Sequence, residues 1–152
     1  MSRPRSTLSE SIVAEARSWL GTPYHHMADI KGVGVDCGML LVRIFSDLGL
    51  CSDFDPRPYT RDWYMHQDGE VYLSFVEARS DEISIDDILP EDIVLFRVGR
   101  CYSHGAVVTE TSPLRLLHAV YQYGRVVEDV ADSYPEISKR LKNARFFRVR
   151  DR

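Results

Sequence analysis

The stretch Gly34-Val35-Asp36-Cys37-Gly38-Met39-Leu40-Leu41-Val42-Arg43-Ile44-Phe45-Ser46-Asp47-Leu48-Gly49 decides how this chain is built. From Cys37 to Leu48 it reads as a helix, because Leu40, Leu41, Ile44, Phe45 and Leu48 recur at three- and four-residue intervals. That apolar stripe is too broad for a surface helix, so the helix is expected at the centre of the fold. Gly49 is its C-terminal stop. Cys37 stands at the opposite end, after a loop from Tyr24 to Asp36 that carries Gly32 and Gly34. A thiol at a helix N-terminus meets unpaired N–H groups and the positive end of the helix dipole, and both favour the thiolate. The same N–H groups can receive an oxyanion. A buried packing cysteine would suit the position equally well, and local context alone leaves the two readings open.

Upstream, Thr7 to Leu20 reads as a second helix. Thr7 and Glu10 have capping-box spacing, and Ile12, Val13, Ala16, Trp19 and Leu20 repeat along one face. Gly21 and Pro23 end it. Downstream, Ser52 to Asp62 is an irregular connection with Pro56 and Pro58, and Trp63 to Arg79 reads as a further helix despite Gly69. The acidic stretch from Asp81 to Asp92 is read as a solvated turn region. Beyond it, Ile93–Val98, Gly105–Thr109, Leu114–Tyr121, Arg125–Val130 and Ala144–Val149 are rich in β-branched and aromatic residues between turn signals, as strands are. Helices first and an antiparallel sheet second is an α+β arrangement.

The 152 residues fit one domain, 1–152, with a sizeable core. A formal net charge of -4 argues against nucleic acid as a partner. The arginines at 3 and 5, and at 145, 148, 150 and 152, lie toward the termini and read as solvated ends. No apolar run is long enough for membrane insertion, and the first residues lack a secretory signal's apolar stretch. The expectation is synthesis in the cytoplasm without a signal peptide. Three cysteines without close pairing argue against a disulfide framework and a structural zinc site. Cys51 and Cys101 read as packed thiols beside one reactive Cys37.

A cysteine nucleophile needs a base, and the base needs an orienting partner. His104 opens one expected strand and His118 lies late in the next, a separation that suits neighbouring antiparallel strands. Neutral His104 would take the thiol proton while His118 fixes its tautomer. The reading requires the Cys37 thiol within hydrogen-bond reach of a His104 ring nitrogen, with looser geometry allowed before substrate binds. Structural histidines on strands are the ordinary alternative, and a zinc site of Cys37, Cys101, His104 and His118 is a minority one. His25, His26 and His66 have no implied partner.

Five ordered blocks carry a family resemblance across about residues 12 to 130: Gly21-Thr22-Pro23-Tyr24, Gly34-Val35-Asp36-Cys37-Gly38, Leu89-Pro90-Glu91-Asp92-Ile93-Val94-Leu95-Phe96, Ser103-His104-Gly105-Ala106-Val107-Val108 and Leu117-His118-Ala119. Together they resemble the NlpC-type peptidoglycan peptidases. The resemblance implies a papain-like α+β fold with the nucleophile at a helix N-terminus packed on an antiparallel sheet. It implies Cys37 as nucleophile, His104 as base and His118 as the polar third member, without cofactor or metal. It places Tyr24, Gly38 and Ser103 at the substrate, and gives Asp36 a structural or substrate-contacting role. Gly38 departs from the serine or apolar residue usual after the cysteine, and brings only its backbone to the site. Gly21–His26, Lys31–Gly34 and Tyr59–Trp63 are similar to a branch found in phages and gene-transfer particles, which implies a peptidoglycan stem peptide as substrate, phage-tail proteins as partners and action at the cell wall as a particle component. Two other functions stay open: a tail-tip structural protein that keeps the fold, and a thiol amidase or acyltransferase on another substrate, which the region 51–81 would decide.

Overall fold

The computed structural model describes residues 4–51, 55–58, 71–99, 101–133 and 135–151. Helix α1 (Arg5–Arg17) leads to a two-residue hairpin, β1 (Asp29–Ile30) and β2 (Gly34–Val35), and then to α2 (Cys37–Asp47). Helix α3 (Val71–Glu77) precedes the strands β3 (Ser80–Ile83), β4 (Ile93–Val98), β5 (Cys101–Thr111), β6 (Leu114–Val120) and β7 (Arg125–Val130). A short helix α4 (Pro135–Ser138) and strand β8 (Arg145–Val149) finish the chain.

The main sheet is antiparallel with strand order β3-β8-β4-β5-β6-β7. Its strands carry apolar residues on both faces, so they bury two cores. Val107, Leu117, Ala119, Val126 and Phe147 face α1, α2 and α3 and join Leu8, Ile12, Trp19, Leu40 and Ile44. Val94, Phe96, Ala106, Val108, Leu116 and Val120 face the other way, toward Ala131, Ile137 and Leu141. Helix α2 is buried from Gly38 to Val42 and again at Ile44 and Phe45, the central position its stripe requires.

Several boundaries differ from the sequence reading. Helix α1 begins at Arg5 with Pro4 at its N-cap and no side-chain cap, so Thr7 lies inside the helix and the capping box is not formed. A proline fixes φ near the value the first turn needs, which starts the helix without a hydroxyl. The acidic stretch is partly a strand: β3 pairs with β8 from Ser80–Val149 to Ile83–Phe146. Its acidic side chains face solvent from an edge position, so they carry no apolar alternation. The helix expected from Trp63 is seen as α3 from Val71, and residues 59–70, with His66, lie outside the described residues.

The third motif block acts as scaffold. Asp92 is buried and its carboxylate accepts the backbone N–H of Leu89 at 2.7 Å. Glu91, at φ 120°, is also buried and accepts the Ser9 hydroxyl at 2.6 Å, which ties α1 to the start of β4.

Candidate active site

Asp36 sets the start of α2. Its Oδ1 accepts the Met39 N–H at 2.9 Å as a side-chain N-cap, and its Oδ2 accepts the Met27 N–H at 2.7 Å. One buried carboxylate therefore fixes both the helix that carries Cys37 and the loop that precedes it. With both oxygens engaged by backbone N–H groups, Asp36 has the structural role that was one of its two expected ones. His26 Nδ1 lies 3.8 Å from the same carboxylate.

The position of the thiol follows from the ladder of β5. Its rungs with β6 run from Thr111–Leu114 to Val107–Leu117, while β5 itself continues to Cys101 alongside β4. Val108 exchanges both backbone bonds with the β4 side, through Asp92 O and the Glu91 N–H. Backbone groups alternate along a strand, so Gly105, like Val107, turns its own toward the β6 side. The Cys37 thiol donates to the Ser103 carbonyl at 3.7 Å, and the Gly105 N–H is directed at the sulfur. The sulfur takes the place of the missing rung. Ser103 sits at the irregularity between the Phe96–His104 and Arg97–Tyr102 pairs, and its buried side chain leaves only its carbonyl to the site.

Gly105 is required there. A Cβ would meet the Tyr72 hydroxyl, and Leu41 Cδ1 at 2.8 Å. The Tyr72 hydroxyl donates to the Cys37 carbonyl at 3.2 Å, so α3 also braces the first turn of α2.

His104 leaves β5 on the face it shares with Phe96, whose ring lies 6.1 Å from the imidazole, centre to centre. Its Nε2 is 2.8 Å from Nδ1 of His118, and His118 Nε2 is 3.3 Å from Oδ2 of Asp129 on β7. His118 is 1% exposed. The structure thus joins His104 to His118 as expected and adds Asp129, which sequence reasoning missed. The signal was there: the β6–β7 turn sets His118 opposite Val127 and Leu116 opposite Asp129, and alternation puts Asp129 diagonally beside His118.

Among the described residues, no hydrogen bond joins the Cys37 sulfur to the His104 imidazole. The sulfur instead lies against the backbone on either side of His104. Burial first, and then the Asp36 charge, push the thiol up to about 12, partly offset by the N–H groups of Gly105, Cys37 and Gly38. Burial, followed by the neighbouring His118 and Arg140, depresses His104 to about 3. At neutral pH this is a neutral thiol beside a neutral imidazole. Proton transfer from one to the other must accompany any attack by sulfur.

Tyr24 is half-buried and meets Tyr121 edge to face at 5.6 Å, beside the bridge that joins it to Val35. Gly38 is buried in the first turn of α2. Cys51 and Cys101 are buried and take part in no disulfide. No group of three His, Cys, Asp or Glu side chains fit to hold a metal occurs among the described residues.

No family model and no curated protein sequence matches the chain. Solved structures do. The NlpC/p60 domain of the peptidoglycan hydrolase SagA superposes with a TM-score of 0.59 at 18% identity, over 83% of this chain and 92% of that one. The fold is that of the NlpC/P60 papain-like domains. A Staphylococcus aureus protein similar to a lipoprotein, of the NLP/P60 family, matches with a TM-score of 0.64 at 20% identity, over all of this chain and 44% of its own. NlpC1 from Trichomonas vaginalis matches at 0.60 and 20% identity, over 84% of this chain and 40% of its own. The NlpC/P60 domain likeness covers both the helices and the sheet, whereas this chain spans under half the length of these last two proteins.

Proposed function

We propose that this NlpC/P60-like domain is a cysteine endopeptidase that hydrolyses an amide bond in peptidoglycan stem peptides. The observation that carries the reading is the Cys37 sulfur at a helix N-terminus, seated on the open edge of β5 between Ser103 and Gly105, beside a His104 already tethered to His118. The peptidoglycan substrate is supported by SagA, a peptidoglycan hydrolase whose domain shares the fold.

Engagement begins when the thiol leaves the Ser103 carbonyl and turns toward Nδ1, the ring nitrogen of His104 that His118 does not use. Nδ1 takes the thiol proton as sulfur attacks the carbonyl carbon. The N–H groups of Cys37 and Gly38 stabilise the oxyanion. The C–N bond then breaks, the amine leaves with the proton from His104, and an acyl-enzyme remains. Water attacks it with His104 again as base, and the free carboxylic acid and thiol result.

The setting we infer is a phage-like tail that brings the domain to the cell wall. It rests on the likeness of Gly21–His26 and Lys31–Gly34 to that branch. Mass spectrometry of muropeptides digested with the wild type and with Cys37→Ala tests the activity: cleavage by the first alone is expected, and identical intact muropeptides from both would sink it. Particles that assemble normally with Cys37→Ala but enter poorly support the tail setting, and particles that fail to assemble point to a scaffold.

A further inference from the structure

We propose that Asp129 is a positioning residue that fixes the protonation pattern of both histidines, so that His104 offers a bare Nδ1 to the thiol. The inference rests on the reading of Cys37 and His104 as nucleophile and base, and adds a group that this reading does not contain.

A carboxylate can only accept hydrogen bonds. Asp129 Oδ2, 3.3 Å from His118 Nε2, therefore favours a proton on that nitrogen. A neutral imidazole carries one N–H, so His118 Nδ1 is then a lone pair. The 2.8 Å contact between His118 Nδ1 and His104 Nε2 needs one donor, and only His104 Nε2 can supply it. His104 then has its proton on Nε2, and Nδ1 is left to accept. The chain runs in one direction from β7 through β6 to β5. Reversing either histidine would set two lone pairs or two N–H groups against each other at 2.8 Å.

The burial pattern supports the direction. His118 is sealed at 1% exposure, so water cannot reset its tautomer, whereas the Asp129 side chain is 28% exposed and stays in contact with water. His104 is neutral at physiological pH, with its pKa depressed to about 3, so its tautomer, and not its charge, decides whether it can act as a base. At metal centres, carboxylates that accept from a histidine's second N–H fix the ring's tautomer and orientation, and their loss costs about 10–100-fold, which sets the scale here.

The test reads the rings directly. Long-range proton–nitrogen NMR of the histidine-labelled protein at pH 7 should show His104 and His118 both protonated at Nε2. In Asp129→Ala, His118 should pass to a mixture of tautomers, with kcat on muropeptides falling about 10-fold and KM unchanged. Asp129→Glu should restore most of both. His118 protonated at Nδ1 in the wild type, or tautomers unmoved by Asp129→Ala, would overturn the proposal. Should Asp129→Ala fail to fold, the wild-type ring nitrogens still decide. An inactive wild type with the stated tautomers would defeat the peptidase reading and leave the role of Asp129 standing.

Discussion

The guanidinium of Arg148 grips both oxygens of the fully buried Asp92 carboxylate, with Nε to Oδ1 at 2.9 Å and Nη2 to Oδ2 at 2.8 Å. Strand β8 is thereby bolted to the turn that starts β4. Removing one partner of such a pair strands a charge away from water, which costs far more than the pair itself contributes. Arg148→Ala should destabilise the fold by about 3 kcal/mol, read by urea denaturation. A loss under about 0.5 kcal/mol would show that water reaches Asp92 when the arginine is gone.

Asp36 holds α2 in place and disfavours the thiolate at once. Asp36→Asn keeps an oxygen for the Met39 N–H and removes the charge, so the thiol pKa should fall. Iodoacetamide should then label Cys37 faster than in the wild type at pH 8. Asp36→Ala also loses the cap, for about 1 kcal/mol of stability.

His104 makes the fold acid-sensitive. Its folded pKa, about 3, lies below the ordinary 6.5, so the unfolded chain binds the extra proton between those values. The stability is present above pH 6.5 and is lost as pH falls toward 3, by up to about 1.4 kcal/mol per pH unit. In His104→Gln, stability measured from pH 7 to pH 4 should decline less steeply than in the wild type. Parallel curves would mean that the imidazole is solvated.

Gly105→Ala drives a methyl group into the Tyr72 hydroxyl and Leu41. Overpacking of this kind costs about 1–3 kcal/mol. Because Tyr72 braces the Cys37 carbonyl, activity should fall further than stability accounts for. Calorimetry and muropeptide turnover on the same samples separate the two effects.

What could be read in advance follows the physics of each segment. Strands β4 and β7 match Ile93–Val98 and Arg125–Val130 to the residue, since their β-branched runs end at clear turns. The helix from Cys37 was equally plain, because its stripe is broad and Gly49 follows it. Strand β3 was hidden by Asp81 and Glu82, whose charges say nothing about backbone pairing. His104 lies three residues inside β5, because the strand continues past its last rung with β6. The His104–His118 pair followed from hairpin logic, whereas Asp129 needed the next hairpin counted as well. The disengaged thiol could not have been foreseen: it depends on which edge of one strand is left unladdered.

The motif block at 21–24 also covers one edge of the sheet. The Gly21 N–H bonds to Val126 O, the Val126 N–H to Thr22 O and the Tyr24 N–H to Gly124 O, so this segment lies along the outer edge of β7. A proline in that segment offers no N–H to a stranger's strand. The opposite edge, β3, is four residues long and bears Asp81 and Glu82, engaged by Arg150 and Arg145. Short length and charge discourage an incoming chain there. One border of the sheet is thus covered and the other is short and charged, so neither offers the long, flat, apolar edge on which a second chain adds a strand.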